Sequence, residues 1–223
     1  MATRDWAVIW DVDGTLVDTA KLHHEAWVLT CARLGKLFTP QDFADTFGRR
    51  NPEIIRHLLG EHLTDEEIAQ IGADKEDLYR TEAKKGVELL PGVGQLLKGI
   101  HQLAVSQGIG TSAPRKNLEL ILEITASTHF FAAQVAMEDT TRGKPDPEVF
   151  LKAAAQLNIP PQRCIVLEDA IAGVQAAKAG GMKCIGVTFV GHHPREKLIQ
   201  AGADHVVHSF EEIDARFIEQ LLV

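Results

Sequence analysis

From about residue 87 onward, short apolar runs alternate with stretches whose apolar residues recur at helical spacing. The pattern predicts strands over 105–112, 131–137, 164–167, 183–188 and 205–207, and helices over 93–102, 115–126, 147–157, 170–179, 194–201 and 211–222. Strands and helices that take turns in this way build parallel βαβ units. One further run, Trp6-Ala7-Val8-Ile9-Trp10, is apolar without polar alternation, as expected of a central strand covered on both faces.

Residues 18–86 follow a different rule, with four helical stretches and no convincing strand. Thr39-Pro40 reads as a helix start with proline in the first turn, and Thr64-Asp65-Glu66-Glu67 as a T-x-x-E capping box. Gly86 and Leu90-Pro91-Gly92 mark the return to alternating elements. The expected fold is a doubly wound, Rossmann-like parallel α/β core formed by residues 1–17 and 87–223, with 18–86 inserted as an all-helical cap. An insertion placed directly after the first strand overhangs the carboxyl end of the sheet, where it can serve as a lid.

Composition narrows the partners more than the fold. A chain of 223 residues with 45% hydrophobic content is ordinary for a globular protein. Its 31 acidic against 23 basic residues leave a net charge of -8, which disfavours a nucleic-acid partner, because backbone binding needs a basic face. No run approaches the roughly 20 apolar residues of a membrane span, and no signal peptide is readable. Cys31, Cys164 and Cys184 are odd in number and widely spaced, so buried thiols in a reducing compartment are expected rather than disulfides. The expectation is a cytoplasmic monomer acting on a small molecule.

The chemistry concentrates at strand ends. Asp11-Val12-Asp13-Gly14-Thr15-Leu16-Val17-Asp18-Thr19 follows the first apolar run and sets two carboxylates two residues apart, with Gly14 permitting a sharp backbone departure. Like charges ~4 Å apart repel by ~4 kcal/mol at an effective dielectric of ~20, so a hard metal ion with one carboxylate left to react is the economical reading. A calcium loop fails, because Thr15 and Leu16 stand where an acid or amide and a glycine are required. An acidic turn after a strand is common in itself, and the same holds for each further group. Ser112 alone reads as a helix cap. Lys144, in Arg142-Gly143-Lys144-Pro145-Asp146-Pro147, alone reads as a solvated loop lysine. The Glu168-Asp169 pair after Cys164-Ile165-Val166-Leu167 alone reads as a cap for the helix at Ala170, chiefly through Asp169. Together they place two acid pairs, a hydroxyl and a lysine on one edge of one sheet, the parts that displacement at phosphorus requires.

With these residues in view, the chain resembles the haloacid dehalogenase superfamily over essentially its whole length. More narrowly it resembles the helical-cap branch that holds sugar-phosphate phosphatases and beta-phosphoglucomutase. The matching stretches are D-V-D-G-T-L-V-D-T, Thr111-Ser112, G-K-P-D-P and L-E-D-A-I-A-G-V-Q-A-A-K-A-G-G. The resemblance implies Asp11 as a nucleophile that becomes an aspartyl phosphate and Asp13 as the acid that protonates the leaving oxygen and then activates water. It implies Ser112 and Lys144 as holders of the phosphoryl oxygens. Mg²⁺ would be bound by Asp11, the Asp13 carbonyl and Asp169, with Glu168 close by. Asp13 also separates the chain from the dehalogenases, which resemble D-x-Y there and need no metal.

The cap is where specificity is expected. The segment from Asp18 to Trp27 resembles the sugar-phosphate branch, which implies substrate contacts for His23 and Trp27, although a solvated helix histidine is an equally ordinary reading of His23. Thr15, Arg49, Arg50, Asn51, Ala113, Arg115 and Asn117 complete the expected substrate-facing set. The mutase pattern carries a lysine before a glycine and an arginine three residues after it. Here Phe47 precedes Gly48 and Asn51 follows it, so a phosphatase is expected over a mutase. Arg49 or Arg50 by a shift, or Arg115 to Asn117 beside Ser112, would be the alternative phosphate clamp. A phosphorylated signalling receiver is about half this length and lacks D-x-D-G-T, which leaves a non-catalytic phosphometabolite sensor as the reading from another class.

Overall fold

A computed structural model describes residues 4–222; residues 1–3 and 223, which the sequence reading assigns to the ends of the core, lie outside the described residues. The chain opens with β1 (Ala7–Trp10), then runs through α1 (Ala20–Arg33), α2 (Pro40–Thr46), α3 (Asn51–Leu59) and α4 (Asp65–Ala83). The remainder alternates: α5 (Val93–Gln102), β2 (Ser106–Gly110), α6 (Arg115–Ile124), β3 (Ala133–Val135), α7 (Glu148–Leu157), β4 (Cys164–Glu168), α8 (Ile171–Ala179), β5 (Lys183–Val187), α9 (Arg195–Gln200), β6 (His205–Val207) and α10 (Ala215–Gln220).

The six strands form one sheet in the order β3-β2-β1-β4-β5-β6, and every neighbouring pair is parallel. This is the doubly wound α/β fold that the hydrophobic pattern predicts. β1 is central because it can be: Ala7 through Trp10 are all 0% exposed. Val8 and Trp10 face the layer built by α5, α6 and α10, while Ala7 and Ile9 face α7, α8 and α9. The one polar group this demands is satisfied, since Trp10 Nε1 donates to Gln107 Oε1 at 3.1 Å and Gln107 Nε2 donates to the Leu97 carbonyl at 3.0 Å. The chain leaves β1 for β2 on one side and later returns to β4 on the other. The crevice outside the carboxyl ends of β1 and β4 is therefore the topological switch point, where ligands of such sheets gather.

Helices α1 to α4 enclose an apolar cluster of their own, centred on Trp27, Cys31, Phe38, Ile54, Ile55 and Ile68. Both helix starts fall where the sequence predicts: Thr64 with Glu67 closes the expected capping box at α4, and at α2, beside the expected Pro40, Thr39 closes a reciprocal box with Asp42 that was not foreseen. Cys31, Cys164 and Cys184 are free and buried. Among the described residues no helix is long and apolar enough to cross a membrane.

Several elements are shorter than the pattern suggests. Strand 131–137 contracts to β3, because 3₁₀ turns occupy Thr128–Phe130 and Met137–Asp139. Helix 211–222 splits into the turn Phe210–Glu212 and α10, because the Asp214 side chain accepts the Phe217 N–H at 2.8 Å and starts a new helix.

Phe150 of α7 links this packing to the crevice. It is fully buried against Gly110 of β2, with the Lys144 ammonium 4.7 Å from its ring centroid. Phe150→Ala is expected to lower stability by about 3–5 kcal/mol in urea unfolding, the usual cost of emptying an aromatic site in a packed core.

Candidate active site

The turn after β1 carries Asp11 and Asp13; the turn after β2 carries Thr111 and Ser112; the loop between β3 and α7 carries Lys144; and the end of β4 carries Glu168 and Asp169. With the helical insertion above them they enclose a cavity of about 50 Å³. Its walls include Asp11, Asp13, His23, Trp27, Arg49, Asn51, Ser112, Ala113, Lys144, Glu168 and Asp169, so these expected site residues are brought together.

At the floor, Lys144 is 4% exposed and donates from Nζ to Asp11 Oδ1 and to Glu168 Oε1, both at 2.6 Å. A solvated lysine is thereby excluded. Burial pushes the Lys144 ammonium down, but the charges of Asp11 and Glu168 outweigh it and hold it above the ordinary range. Asp11 moves the other way: burial pushes its carboxyl up to about 7 against the pull of Lys144. Burial, Glu168 and Asp11 raise Asp169 well above the carboxylate range, and its buried Oδ2 has no hydrogen-bond partner among the described residues. The approach to these acids is tight. A Cβ on Gly14, whose φ is +86°, would lie 2.1 Å from Asp169 Oδ2, so only glycine makes that turn.

Asp13 has a different environment. Burial raises its carboxyl, yet the hydrogen bonds of His23 and the Thr19 hydroxyl and the Lys75 charge outweigh burial and bring it below the usual range. Lys75 Nζ reaches His23 Nδ1 at 2.7 Å, and His23 Nε2 reaches Asp13 Oδ1 at 3.2 Å. Because an ammonium only donates, Nδ1 is the acceptor and Nε2 carries the proton given to Asp13. His23 is stacked on Tyr79 with ring centroids 4.2 Å apart. Lys75 also donates to Glu76 Oε1 at 2.8 Å and lies 5.3 Å from the Trp27 ring centroid. Glu76, lowered to about 2 as the Lys75 charge and its hydrogen bonds overcome its burial, accepts from Asn51 at 2.7 Å and from Asn117 at 2.5 Å.

Four expected contacts lie elsewhere. Thr15 is fully buried away from the cavity walls. Asn117 stands behind Glu76 and accepts from Arg80. Arg115 is drawn outward to Asp139 and the Gln134 carbonyl. Arg50 turns to main-chain carbonyls of the β3–α7 loop instead of the cavity. The cap expected of Asp169 is absent, since α8 follows Ala170 without a side-chain cap, and Glu168 Oε2 instead accepts the Ala170 N–H at 2.6 Å. Ser112 caps nothing, since Pro114 precedes α6.

Lys75, Glu76, Thr19 and Tyr79 escaped the sequence reading. A signal was present in α4, where Ile68, Gly72, Lys75, Glu76, Tyr79 and Ala83 form the buried stripe. Two charges on an apolar stripe require partners, and only a polar site supplies them.

A family model described as haloacid dehalogenase-like hydrolase matches residues 8–187, and the chain belongs to that family. The chain is 31% identical over 196 residues to a validoxylamine A 7'-phosphate phosphatase of Streptomyces hygroscopicus subsp. limoneus, covering 86% of this chain and 89% of the relative. It is 32% identical over 190 residues to a beta-phosphoglucomutase of Bacillus subtilis, covering 81% and 82%. A beta-phosphoglucomutase structure from Clostridium difficile superposes with a TM-score of 0.88 at 25% identity, covering 98% of this chain and 97% of the other.

Because Asp11 binds its proton more tightly in the folded protein, near 7 against an ordinary 3.8, the folded state holds more protons across that window. The stability it contributes is therefore present at low pH and is lost as pH rises toward and past 7. Without metal, Asp11→Asn is expected to unfold at higher temperature than the parent above pH 7, by about 1–3 kcal/mol, with the advantage shrinking toward pH 5. Thermal unfolding in chelator at pH 5 and pH 8 measures both. A parent more stable than the variant at pH 8 contradicts the uncompensated charge.

Proposed function

We propose that the protein is a cytoplasmic phosphohydrolase acting on a small phosphorylated metabolite, a sugar phosphate, through an aspartyl-phosphate intermediate. The observation that carries the reading is Lys144, pinned between Asp11 and Glu168 on the floor of a small cavity whose other wall is the helical insertion. The phosphatase among the relatives supports the reaction class.

In this reading Asp11 attacks phosphorus in line, the ester P–O bond breaks, and the leaving oxygen takes a proton from Asp13. Water then gives a proton to Asp13 as it attacks the aspartyl phosphate, releasing inorganic phosphate and restoring the Asp11 carboxylate. His23 donates to Asp13 and Lys75 fixes the ring that does so, which holds the Asp13 proton at one oxygen. Lys144 and Ser112 hold the equatorial phosphoryl oxygens.

A hard divalent cation fits the acids. The donor set is all oxygen, the buried Asp169 Oδ2 has no hydrogen-bond partner among the described residues, and burial, together with the neighbouring acids, raises Asp11 and Asp169 beyond what Lys144 balances. Among the described residues no three acidic, histidine or cysteine side chains converge as a ready-made centre. Asp11, the Asp13 carbonyl and Asp169 would hold Mg²⁺, with Glu168 beside them. Bound there, it would offset the negative charge of the phosphoryl group.

A second reading, phosphoryl transfer between sugar positions, is favoured by Arg49, which lines the cavity and has no ion pair among the described residues. Against it, Phe47 and the amide of Asn51, already committed to Glu76, stand where a distal-phosphate grip is expected.

Asp11→Asn is expected to lower phosphate release by about 10⁴-fold or more with the fold intact by circular dichroism. Chelation should silence the parent and Mg²⁺ restore it. Asp169→Ala should raise the Mg²⁺ needed for half activity by at least about tenfold, and Glu168→Gln by less. Phosphorus NMR of β-glucose 1-phosphate or a hexose 6-phosphate should show inorganic phosphate with little isomeric ester, even with a bisphosphate primer. Rapid isomer accumulation would establish the transfer reading and direct attention to Arg49.

A further inference from the structure

Arg50 immediately precedes α3 in the helical insertion, yet its guanidinium is spent on the core. Nη1 donates to the Thr141 carbonyl at 3.0 Å, and Nη2 donates to the carbonyls of Met137 and Thr140 at 3.1 and 3.2 Å. All three acceptors belong to the segment between β3 and α7 that ends in Lys144 and its prolines. The far side of that segment is tied to α7, where Glu148 Oε2 accepts from the Thr141 N–H and hydroxyl and from the Arg142 N–H at 2.9–3.0 Å. Arg50 is thus the clamp opposite α7, and the loop runs between the two.

Gly143 shows how close the clamp sits. A Cβ there would fall 2.6 Å from Arg50 Cδ, 3.0 Å from Arg50 Cγ and 2.4 Å from Glu53 Oε1. Its φ lies outside the left-handed range, so the approach of the insertion, not the backbone conformation, is what requires glycine next to Lys144.

We propose that Arg50 is a positioning residue, which locks the loop so that the Lys144 ammonium stands between Asp11 and Glu168 when the insertion is docked. Docking of the insertion and readiness of the phosphoryl-binding lysine are then one event. Only the kinetic consequence rests on the phosphohydrolase reading; the hold on the loop does not.

The test compares the parent with Arg50→Ala, Arg50→Lys and Gly143→Ala, by hydrogen exchange and by steady-state phosphate release. Residues 139–146 are expected to exchange at least about tenfold faster in Arg50→Ala and Gly143→Ala, with β1 and β4 unchanged. Turnover should fall by about 10–100-fold in kcat with KM within about threefold, since a misplacement near 1 Å costs that much. Arg50→Lys should be intermediate. Added guanidinium should recover part of the kcat of Arg50→Ala and none of that of Gly143→Ala, and the double variant should be no slower than the slower single one. Unchanged exchange at 139–146 in Arg50→Ala, kcat within twofold of the parent, or faster exchange spread evenly over the chain each overturns the proposal. Were the parent to release no phosphate from any ester, the phosphohydrolase reading would fall, while the exchange comparison would still decide whether Arg50 holds the loop.

Discussion

Three buried carboxylates, Asp11, Glu168 and Asp169, with the partly buried Asp13 beside them, persist at one end of a sheet only if positive charge stays among them, and Lys144 is the cation the core supplies. Removing one partner of a buried pair costs about 3–5 kcal/mol, because the other is left uncompensated. Much of the surrounding architecture serves that contact. β1 and β4 lie side by side and deliver Asp11 and Glu168 in register, Trp10 against Leu167, so the two acids arrive at one height. Phe150 lies under the ammonium, and Gly14 and Gly173 leave the room that Asp169 and Glu168 occupy.

The compensation is partial and uneven. Asp11 and Asp13 stand two residues apart on one turn, yet burial drives the first up to about 7 while His23, Thr19 and Lys75 bring the second down. That order is the reverse of what a nucleophile and an acid need, so the proposed duties call for a further cation beside Asp11 to bring its carboxyl down. The split crosses the two halves of the molecule, since Asp11 answers to Lys144 of the core and Asp13 to His23 and Lys75 of the insertion. The surroundings of Asp13 are therefore complete only with the helices docked.

The helical insertion also carries the charges that face a substrate. Lys75 and Glu76 neutralise each other inside α4, with Asn51 and Asn117 satisfying the remaining carboxylate oxygens. This leaves Arg49 as a cation at the cavity wall with no ion pair among the described residues. It is the group of that wall suited to an anionic part of a substrate.

The fold and the grouping of polar residues on the cavity floor were legible in the chain because both rest on local rules. Alternating apolar runs and helical spacing dictate a parallel doubly wound sheet, and strand ends of such a sheet must share one edge, so Asp11, Ser112, Lys144, Glu168 and Asp169 could be grouped before any coordinates. The helix start at Thr39 and the capping box at Thr64 were legible for the same reason, as each closes within four residues. What only tertiary structure decided was the pairing of side chains distant in sequence. Arg50 and Arg115 read as phosphate ligands, but the first found carbonyls about 90 residues away and the second found Asp139 and the Gln134 carbonyl. Lys75 and Glu76 escaped the sequence reading, because only the packing of α4 buries them beside His23. A charged side chain on a long flexible stem takes whichever partner desolvation leaves within reach, and that is set by how two packed bodies meet, which no local pattern encodes.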